Sequence, residues 1–366
     1  MNDKLTRRGL SRKKRCAAPD TGSNSTSPTT QPTPTPASDT KPEKETDAPE
    51  SETSSKTTKT KTSTSTADKP AETDDDKDED DNSTSTLSKG LRILFPASAS
   101  SNRALSWSTN SKAPNAVAFT LDNLGIQNDK KNLKHPIETA PDGSRAMEVS
   151  FKKGAYDFKG ATGGFSFVAY GPDSVDLTKA KEATFAYSAW FEEGFDFNRG
   201  GKLPGLQGGD TDEASKRCSG GRKSLDCFSA RMMFRKEGRG ELYAYLPPGL
   251  KGNNGVCDIP PQSDCNPDYG SSLGRGAFYW KTGGWTTMAQ RVKLNDVGKN
   301  NGEMEIFVNG ESVIKATGLT LRRNSNGRIR STVMQSFFGG HEPEWASPKD
   351  QKIWFKDLSV AITEQL

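Results

Sequence analysis

The sequence predicts an all-β fold, a β-jelly-roll sandwich that follows a long disordered N-terminal tail. After residue 90, apolar runs are short, and several alternate strictly with polar residues. Turn signals rich in Gly, Pro and Asn separate these runs, and no long stretch has helical periodicity. Many short strands joined by glycine-rich turns are typical of a sandwich or jelly roll.

The tail is defined by its composition. Residues 1–90 contain no Phe, Trp, Tyr, Ile or Val and are rich in Ser, Thr, Pro, Lys, Asp and Glu. Such a stretch buries too little apolar area to offset the loss of chain entropy, so we predict disorder. Asn24 and Asn82 each begin an Asn-Ser-Thr triplet, which predicts N-glycosylation. Residues 91–366 hold all six Trp and are predicted to form one β domain.

Charge narrows the class of ligand. The chain has 51 Lys and Arg against 47 Asp and Glu, a net charge of +4. Residues 1–90 hold 15 basic and 17 acidic residues, so residues 91–366 hold 36 and 30 and are mildly basic. This balance favours an anionic ligand but lacks the dense basic stripe of a nucleic-acid-binding protein. No run of about 18 apolar residues occurs, so we expect no membrane span. We also expect the protein to be a monomer.

Strand patterns recur along the rest of the chain. One short helix is predicted at 174–181, and Asn309-Gly310 is a hairpin signal. Besides the hairpin treated below, the predicted strands are 116–119, 146–151, 164–170, 183–191, 277–280, 287–294, 303–308, 331–338 and 353–362.

Four of the five cysteines form two close pairs. Cys218 and Cys227 are nine residues apart, and Cys257 and Cys265 are eight apart, both in Gly-, Ser- and Asp-containing loop sequence. This spacing predicts two local disulfides and a secreted protein, although residues 1–15 lack the apolar core of a complete signal peptide. A zinc site is disfavoured because neither pair has the close CxxC spacing. Cys16 is left over.

The most informative segment is 198–247. A Gly/Lys turn at 198–205 precedes two strand patterns, 228–235 and 241–246, which are joined by a hairpin turn at 236–240. A turn centred near Gly238 would place Arg231 opposite Tyr245 and Met233 opposite Tyr243. Ser229 would share that face, and Lys202 would reach it from a loop. Such a polar set suits the binding of an acidic sugar and the transfer of a proton.

These residues resemble polysaccharide lyase family 14. The resemblance rests on several motifs taken together and runs from about residue 94 to 361. The motifs are Gly200-Gly201-Lys202-Leu203-Pro204-Gly205-Leu206, Gly208-Gly209-Asp210, Ser229-x-Arg231, Tyr243-x-Tyr245, Gln290-Arg291-Val292-Lys293-Leu294-Asn295, Phe337-Phe338-Gly339-Gly340 and Trp345-Ala346-Ser347-Pro348-Lys349-Asp350.

The resemblance implies a secreted lyase that cleaves a 1,4-linked polyuronate, either alginate or glucuronan, by β-elimination on a jelly roll. The catalytic set that it implies is Lys202, Ser229, Arg231, Tyr243 and Tyr245. Further polar residues expected to bind the acidic polysaccharide are Arg235, Gln290, Gln335 and His341. No metal or other cofactor is needed. The stretch between Lys202 and Ser229 looks longer than in alginate-cleaving members, so it is expected to reshape the cleft.

Elementary chemistry explains why a lyase needs these residue types. The C5 proton of a uronate is weakly acidic because the neighbouring carboxylate is already charged, so Arg231 and Lys202 would neutralise that carboxylate. Tyr243 or Tyr245 would act as the base or acid, with Lys202 as the other candidate base. We expect the two cations to lower the tyrosine pKa, and Ser229 to position substrate.

Three other functions compete with the lyase, and one of them, a secreted adhesion or wall-anchored protein, is suggested mainly by the long tail. A non-catalytic carbohydrate-binding jelly roll would keep the cleft without turnover. A glycoside hydrolase would need two carboxylates across the cleft, for which Glu303 and Glu305 are candidates. Calcium-assisted neutralisation would use Asp210, Asp212 and Glu213, although their spacing fits no EF-hand.

Overall fold

The computed structural model describes residues 90–96, 105–127, 130, 133–157, 159–160 and 162–366. Cys16, Asn24 and Asn82 lie outside the described residues, as does the predicted tail up to residue 89. The described part is a nearly all-β sandwich of two eight-stranded antiparallel sheets, as predicted. Within the described ranges, no helix is both long and apolar enough to cross a membrane.

The strands, in chain order, are β1 (Ser106–Ser108), β2 (Ile126–Gln127), β3 (Ile137–Thr139), β4 (Arg145–Phe151), β5 (Ala155–Tyr156), β6 (Lys159–Gly160), β7 (Phe165–Ala169), β8 (Ala180–Phe191), β9 (Gly201–Gly209), β10 (Cys227–Phe234), β11 (Arg239–Tyr245), β12 (Asp264–Cys265), β13 (Ser271–Tyr279), β14 (Gly284–Lys293), β15 (Gly302–Val308), β16 (Glu311–Leu319), β17 (Arg328–Phe338) and β18 (Gln351–Gln365). The helices are short: α1 (Asp212–Ser215) and the 3₁₀ helices Leu177–Lys179, Lys236–Gly238, Lys251–Asp258 and Pro343–Trp345.

Two sheets form the sandwich. The sheet that we call the back sheet has the order β16-β15-β14-β8-β18-β4-β3, with β1 beside β18. The front sheet has the order β12-β13-β11-β10-β9-β17-β7-β2, and β5 pairs with β6 separately. In the front sheet, β9, β10 and β11 are therefore neighbours in space as well as in sequence.

One continuous apolar core lies between the sheets. β8 turns Phe185, Tyr187 and Phe191 inward, and β10 turns Phe228 and Phe234 inward from the other side. Each is almost fully buried, and burial of such a side chain stabilises a fold by roughly 1.5–3 kcal/mol. The face of the front sheet that points away from this core, which we call the front face, is free to carry polar residues.

Most sequence predictions of local structure hold. Both predicted disulfides form, Cys218–Cys227 and Cys257–Cys265. Asn309 and Gly310 turn β15 into β16 with φ angles of 51° and 92°, as a two-residue hairpin requires.

Two predictions of local structure outside the segment 198–247 were wrong. The predicted helix at 174–181 shortens to one 3₁₀ turn, because β8 already begins at Ala180. The predicted strand at 116–119 is absent: Ala116 makes only an isolated bridge to Ser108.

Candidate active site

The predicted hairpin forms between β10 and β11, but with a different register. The predicted pairs, Arg231 with Tyr245 and Met233 with Tyr243, are wrong by two residues. The observed pairs are Ser229 with Tyr245, Arg231 with Tyr243 and Met233 with Glu241.

The turn explains this shift. The loop Lys236–Gly238 centres on Glu237, one residue before the expected centre, and Glu237 adopts a left-handed φ of 63°. The hairpin closes where the Arg235 backbone N–H donates to the Arg239 carbonyl at 2.7 Å. Moving the turn centre by one residue moves each cross-strand partner by two, so every side chain stays on its expected face.

β10 separates apolar and polar side chains between its two faces. Phe228, Ala230 and Met232 belong to the core. Met233 instead clusters with Tyr243 and Tyr245 on the front face. The predicted convergence of the polar set on one face is therefore observed.

Lys202 reaches this face from a strand and not, as predicted, from a loop. The glycine-rich segment 201–209 is the central strand β9, paired with both β10 and β17. Its glycines resemble a turn in the sequence, but they are needed for close packing: a Cβ on Gly209 would lie 2.8 Å from the Asp226 carbonyl oxygen. A bulge follows Lys202, because Lys202 pairs with Met233 and Gly205 with Arg231.

The Lys202 amine lies in an aromatic and cationic pocket. Its Nζ is 3.1 Å from the centre of the Tyr243 ring and donates to the Met233 sulfur at 2.7 Å. Burial, together with the positive charges of Arg231 and Arg235, holds the pKa of this amine well below its usual value. This shift favours the neutral amine, which is the form that can accept a proton.

Arg231 is almost fully buried, and a neighbouring glutamine holds one end of its guanidinium. Its Nη1 donates to Gln335 Oε1 at 2.6 Å, and Gln335 Nε2 donates to Ser166 Oγ at 2.9 Å. The Arg231 Nε is buried and has no hydrogen-bond partner among the described residues. A buried donor without a partner is costly to leave unpaired, and a substrate carboxylate is the acceptor that suits a guanidinium.

Arg235 lies beside the same cluster and is held by a buried carboxylate. Its Nη2 donates to Glu241 Oε1 at 2.6 Å, and its guanidinium carbon lies 5.8 Å from the Tyr243 ring centre. Glu241 Oε2 accepts from Arg275 Nε at 2.8 Å and from Ser272 Oγ. Burial alone would raise the pKa of Glu241, but the two arginines hold it below its usual value. Sequence reasoning missed Glu241, although its period-two spacing from the tyrosines places it on their face.

Two backbone N–H groups bind the two phenol oxygens. Gly221 N donates to Tyr245 Oη at 3.0 Å, and Gly270 N donates to Tyr243 Oη at 3.1 Å. Ser229 Oγ donates to the Cys218 carbonyl at 2.7 Å. Ser229 therefore has no base beside it and is not an activated nucleophile.

The pKa of Tyr243 moves in the direction opposite to the one we predicted. Burial, then the neighbouring Tyr245 phenol, raises it, and this outweighs the opposing effects of Arg235, the Gly270 N–H and Arg231. Tyr243 therefore stays protonated and suits the role of an acid better than that of a base.

An exposed aromatic pair spans the central strands. The loop before β13 carries Tyr269, and the loop after β17 carries His341, so they approach from opposite sides of β9, β10 and β11. Their rings stack with centres 5.5 Å apart. A Cβ on the neighbouring Gly270 would lie 2.6 Å from the Tyr243 ring, and one on Gly339 would lie 3.6 Å from the Met233 methyl carbon. We call this aromatic pair the roof.

Gln290 does not reach the site. It lies on β14 of the back sheet, is fully buried, and accepts from the Leu206 N–H while donating to the Ala230 carbonyl. It therefore ties the two sheets together across the core, and the prediction of a substrate contact was wrong.

The carboxylates considered for other functions also have partners elsewhere. Glu303 and Glu305 pair with Arg291 in the back sheet. Asp210 accepts from Asn324, and Asp212 pairs with Arg330. The hydrolase interpretation thus loses its proposed carboxylates.

Comparisons with known proteins agree with this geometry. The family model described as Polysaccharide lyase 14 matches residues 139–358. No curated protein matches the chain significantly. Among solved structures, the PL-14 alginate lyase from Aplysia kurodai is 32% identical over 65% of this chain and 90% of its own, with a TM-score of 0.57. Alginate lyase vAL-1 from Chlorella virus is 25% identical over 66% and 93%, with a TM-score of 0.55. The chain therefore belongs to polysaccharide lyase family 14 and is a polysaccharide lyase.

Proposed function

We propose that this lyase cleaves alginate, a 1,4-linked polyuronate, by β-elimination on the front face. Two solved structures that share its fold and at least a quarter of its aligned residues are described as alginate lyases. The single observation that carries the proposal is the unpartnered Nε of the buried Arg231, placed beside a lysine with a depressed pKa.

Arg231 neutralises the carboxylate of the reacting sugar. A bidentate ion pair at a buried guanidinium fixes the sugar and withdraws charge from C5. Negative charge that develops on the carboxylate during proton removal is then stabilised by the same donors. Gln335 holds Nη1 and so sets the plane of the guanidinium.

Lys202 takes the C5 proton in its neutral form. The C4–O bond then breaks as the C4–C5 double bond forms, and Tyr243 gives its phenolic proton to the departing oxygen. The lysine ammonium lies against the Tyr243 ring and returns a proton to the phenolate, which restores both groups. Tyr245 and Ser229 position the sugar, since backbone groups of the 218–221 segment fix both hydroxyls.

We also propose that the protein is secreted and monomeric, with residues 91–366 as the domain that follows the tail in the sequence. The two disulfides support an oxidising compartment. Size-exclusion chromatography with light scattering tests the monomer, and a dimer mass would refute it.

The full-length chain tests the activity directly. Elimination leaves a double bond conjugated with the carboxylate, so cleavage of polymannuronate, polyguluronate or glucuronan appears as ultraviolet absorbance. We expect absorbance to rise with an alginate polymer, and Lys202→Ala to abolish the rise. An absorbance rise with glucuronan alone would refute alginate as the substrate but keep the mechanism. No rise with any of the three polymers would refute polyuronate cleavage.

A further inference from the structure

A second cation faces the substrate pocket from the disulfide loop. A pocket of about 260 Å³ opens on the front face beside Arg231, on the side away from the tyrosines. Polar side chains from β7, β9 and β17 contribute to its walls. Lys216 reaches the same pocket from the segment that connects α1 to β10.

Lys216 differs from the other cations of its segment. Arg217 pairs with Asp226, Arg222 donates to the Arg217 carbonyl, and Lys223 donates to the carbonyls of residues 266 and 267. Among the described residues, no ion pair or hydrogen bond engages the Lys216 amine. Its charge is therefore available to a ligand in the pocket.

The backbone beneath Lys216 is held in place. Thr211 caps α1 by accepting from the Ala214 N–H, and the Arg217 N–H donates to the Ala214 carbonyl. Two residues further on, Cys218 is tied to Cys227. A cation on a fixed backbone loses less conformational freedom on binding than a cation on a mobile loop.

The chemistry of a polyuronate supplies the ligand. Every sugar of such a polymer carries a carboxylate, so a chain held by Arg231 through one sugar places another carboxylate nearby. Resting on the function proposed above, we propose that Lys216 binds the carboxylate of the sugar adjacent to the reacting one. Lys216 thus forms a second anion-binding subsite. Together with Arg231 it selects polymers in which the reacting sugar and the adjacent sugar both carry a carboxylate.

Kinetics of full-length variants on the preferred polymer test this subsite. Lys216→Gln is expected to raise KM about fivefold, the effect of losing one partly exposed ion pair, while kcat stays within about twofold. Lys216→Arg keeps the charge and should restore KM. The matched control is Lys112→Gln, which removes an exposed lysine charge far from the front sheet. A KM for Lys216→Gln equal to that of Lys112→Gln would overturn the subsite, even though the lyase activity stands.

Calorimetry separates the subsite from the proposed function. If the wild-type chain cleaves no uronate polymer, the proposed function fails, and binding of a tetrauronate then decides the subsite. Weaker binding by Lys216→Gln than by Lys112→Gln supports the subsite. Equal binding, or no binding by either protein, overturns it. Matching melting temperatures show that both variants are folded.

Discussion

Replacement of Arg235 by Gln tests whether Lys202 is the base. Arg235 is one of two cations that hold the pKa of Lys202 down. Its guanidinium carbon is 5.8 Å from the centre of the Tyr243 ring, and Lys202 Nζ is 3.1 Å from the same point. The two charges are therefore at most about 9 Å apart, whatever the angle between them.

This distance sets the size of the effect. At an effective dielectric constant of about 20, two unit charges about 9 Å apart repel by about 2 kcal/mol. Since about 1.4 kcal/mol moves a pKa by one, Arg235→Gln should raise the Lys202 pKa by about one or slightly more. A base works when deprotonated, so the acidic limb of kcat/KM should move to higher pH by about one pH unit.

The assay is the pH profile of kcat/KM, which reports ionisations of the free enzyme. Arg235→Lys keeps the positive charge and serves as the matched control, so its acidic limb should stay close to that of the wild type. Glu241 keeps Arg275 and Ser272 as partners in both variants, and so the site should remain folded. An acidic limb that stays in place in Arg235→Gln, or moves to lower pH, would refute Lys202 as the base.

Two further predictions concern the phenols and the loop that holds them. Tyr243→Phe should lower kcat at least about a hundredfold, because it removes the acid. Its affinity for a tetrauronate, measured by calorimetry, should stay within a few fold of the wild-type affinity. An affinity loss as large as the loss in kcat would make Tyr243 a positioning residue instead. Replacing Cys218 and Cys227 by Ala should lower kcat about tenfold and reduce the free energy of unfolding by about 2 kcal/mol. The matched Cys257→Ala/Cys265→Ala variant should lose similar stability but keep kcat, since its loop includes no group bonded to a phenol. Equal kcat values in the two double variants would contradict a positioning role for the Cys218–Cys227 disulfide.

Much of the site could be predicted because it lies in one stretch of sequence. The β9–β10–β11 segment is contiguous, and alternation places Ser229 with Arg231 on one face of β10 and the two tyrosines on one face of β11. Any turn centred on a residue brings the two sets to the same face. The left-handed Glu237 changed the cross-strand partners but not the faces. Local spacing likewise predicted both disulfides, since each joins cysteines fewer than ten residues apart.

The failed predictions have physical causes that sequence patterns do not contain. A run of glycines reads as a turn, yet in β9 the same residues let two neighbouring strands approach. Gln290 lies on a correctly predicted strand, but the pattern does not reveal that its face meets the other sheet through hydrogen bonds. The roof joins Tyr269 to His341 across 71 intervening residues, a pairing that only the topology of the front sheet brings about.

The assignment of base and acid depends on burial, which sequence reasoning could not weigh. In the sequence, nearby cations should favour a phenolate, so a tyrosine was the expected base or acid and Lys202 the other candidate base. In the folded protein, burial acts on both groups and always favours the neutral form. It lowers the pKa of Lys202, where the cations add to the effect, and raises the pKa of Tyr243, where they oppose it. The same pocket therefore favours, in the mechanism that we propose, the lysine as proton acceptor and the tyrosine as proton donor.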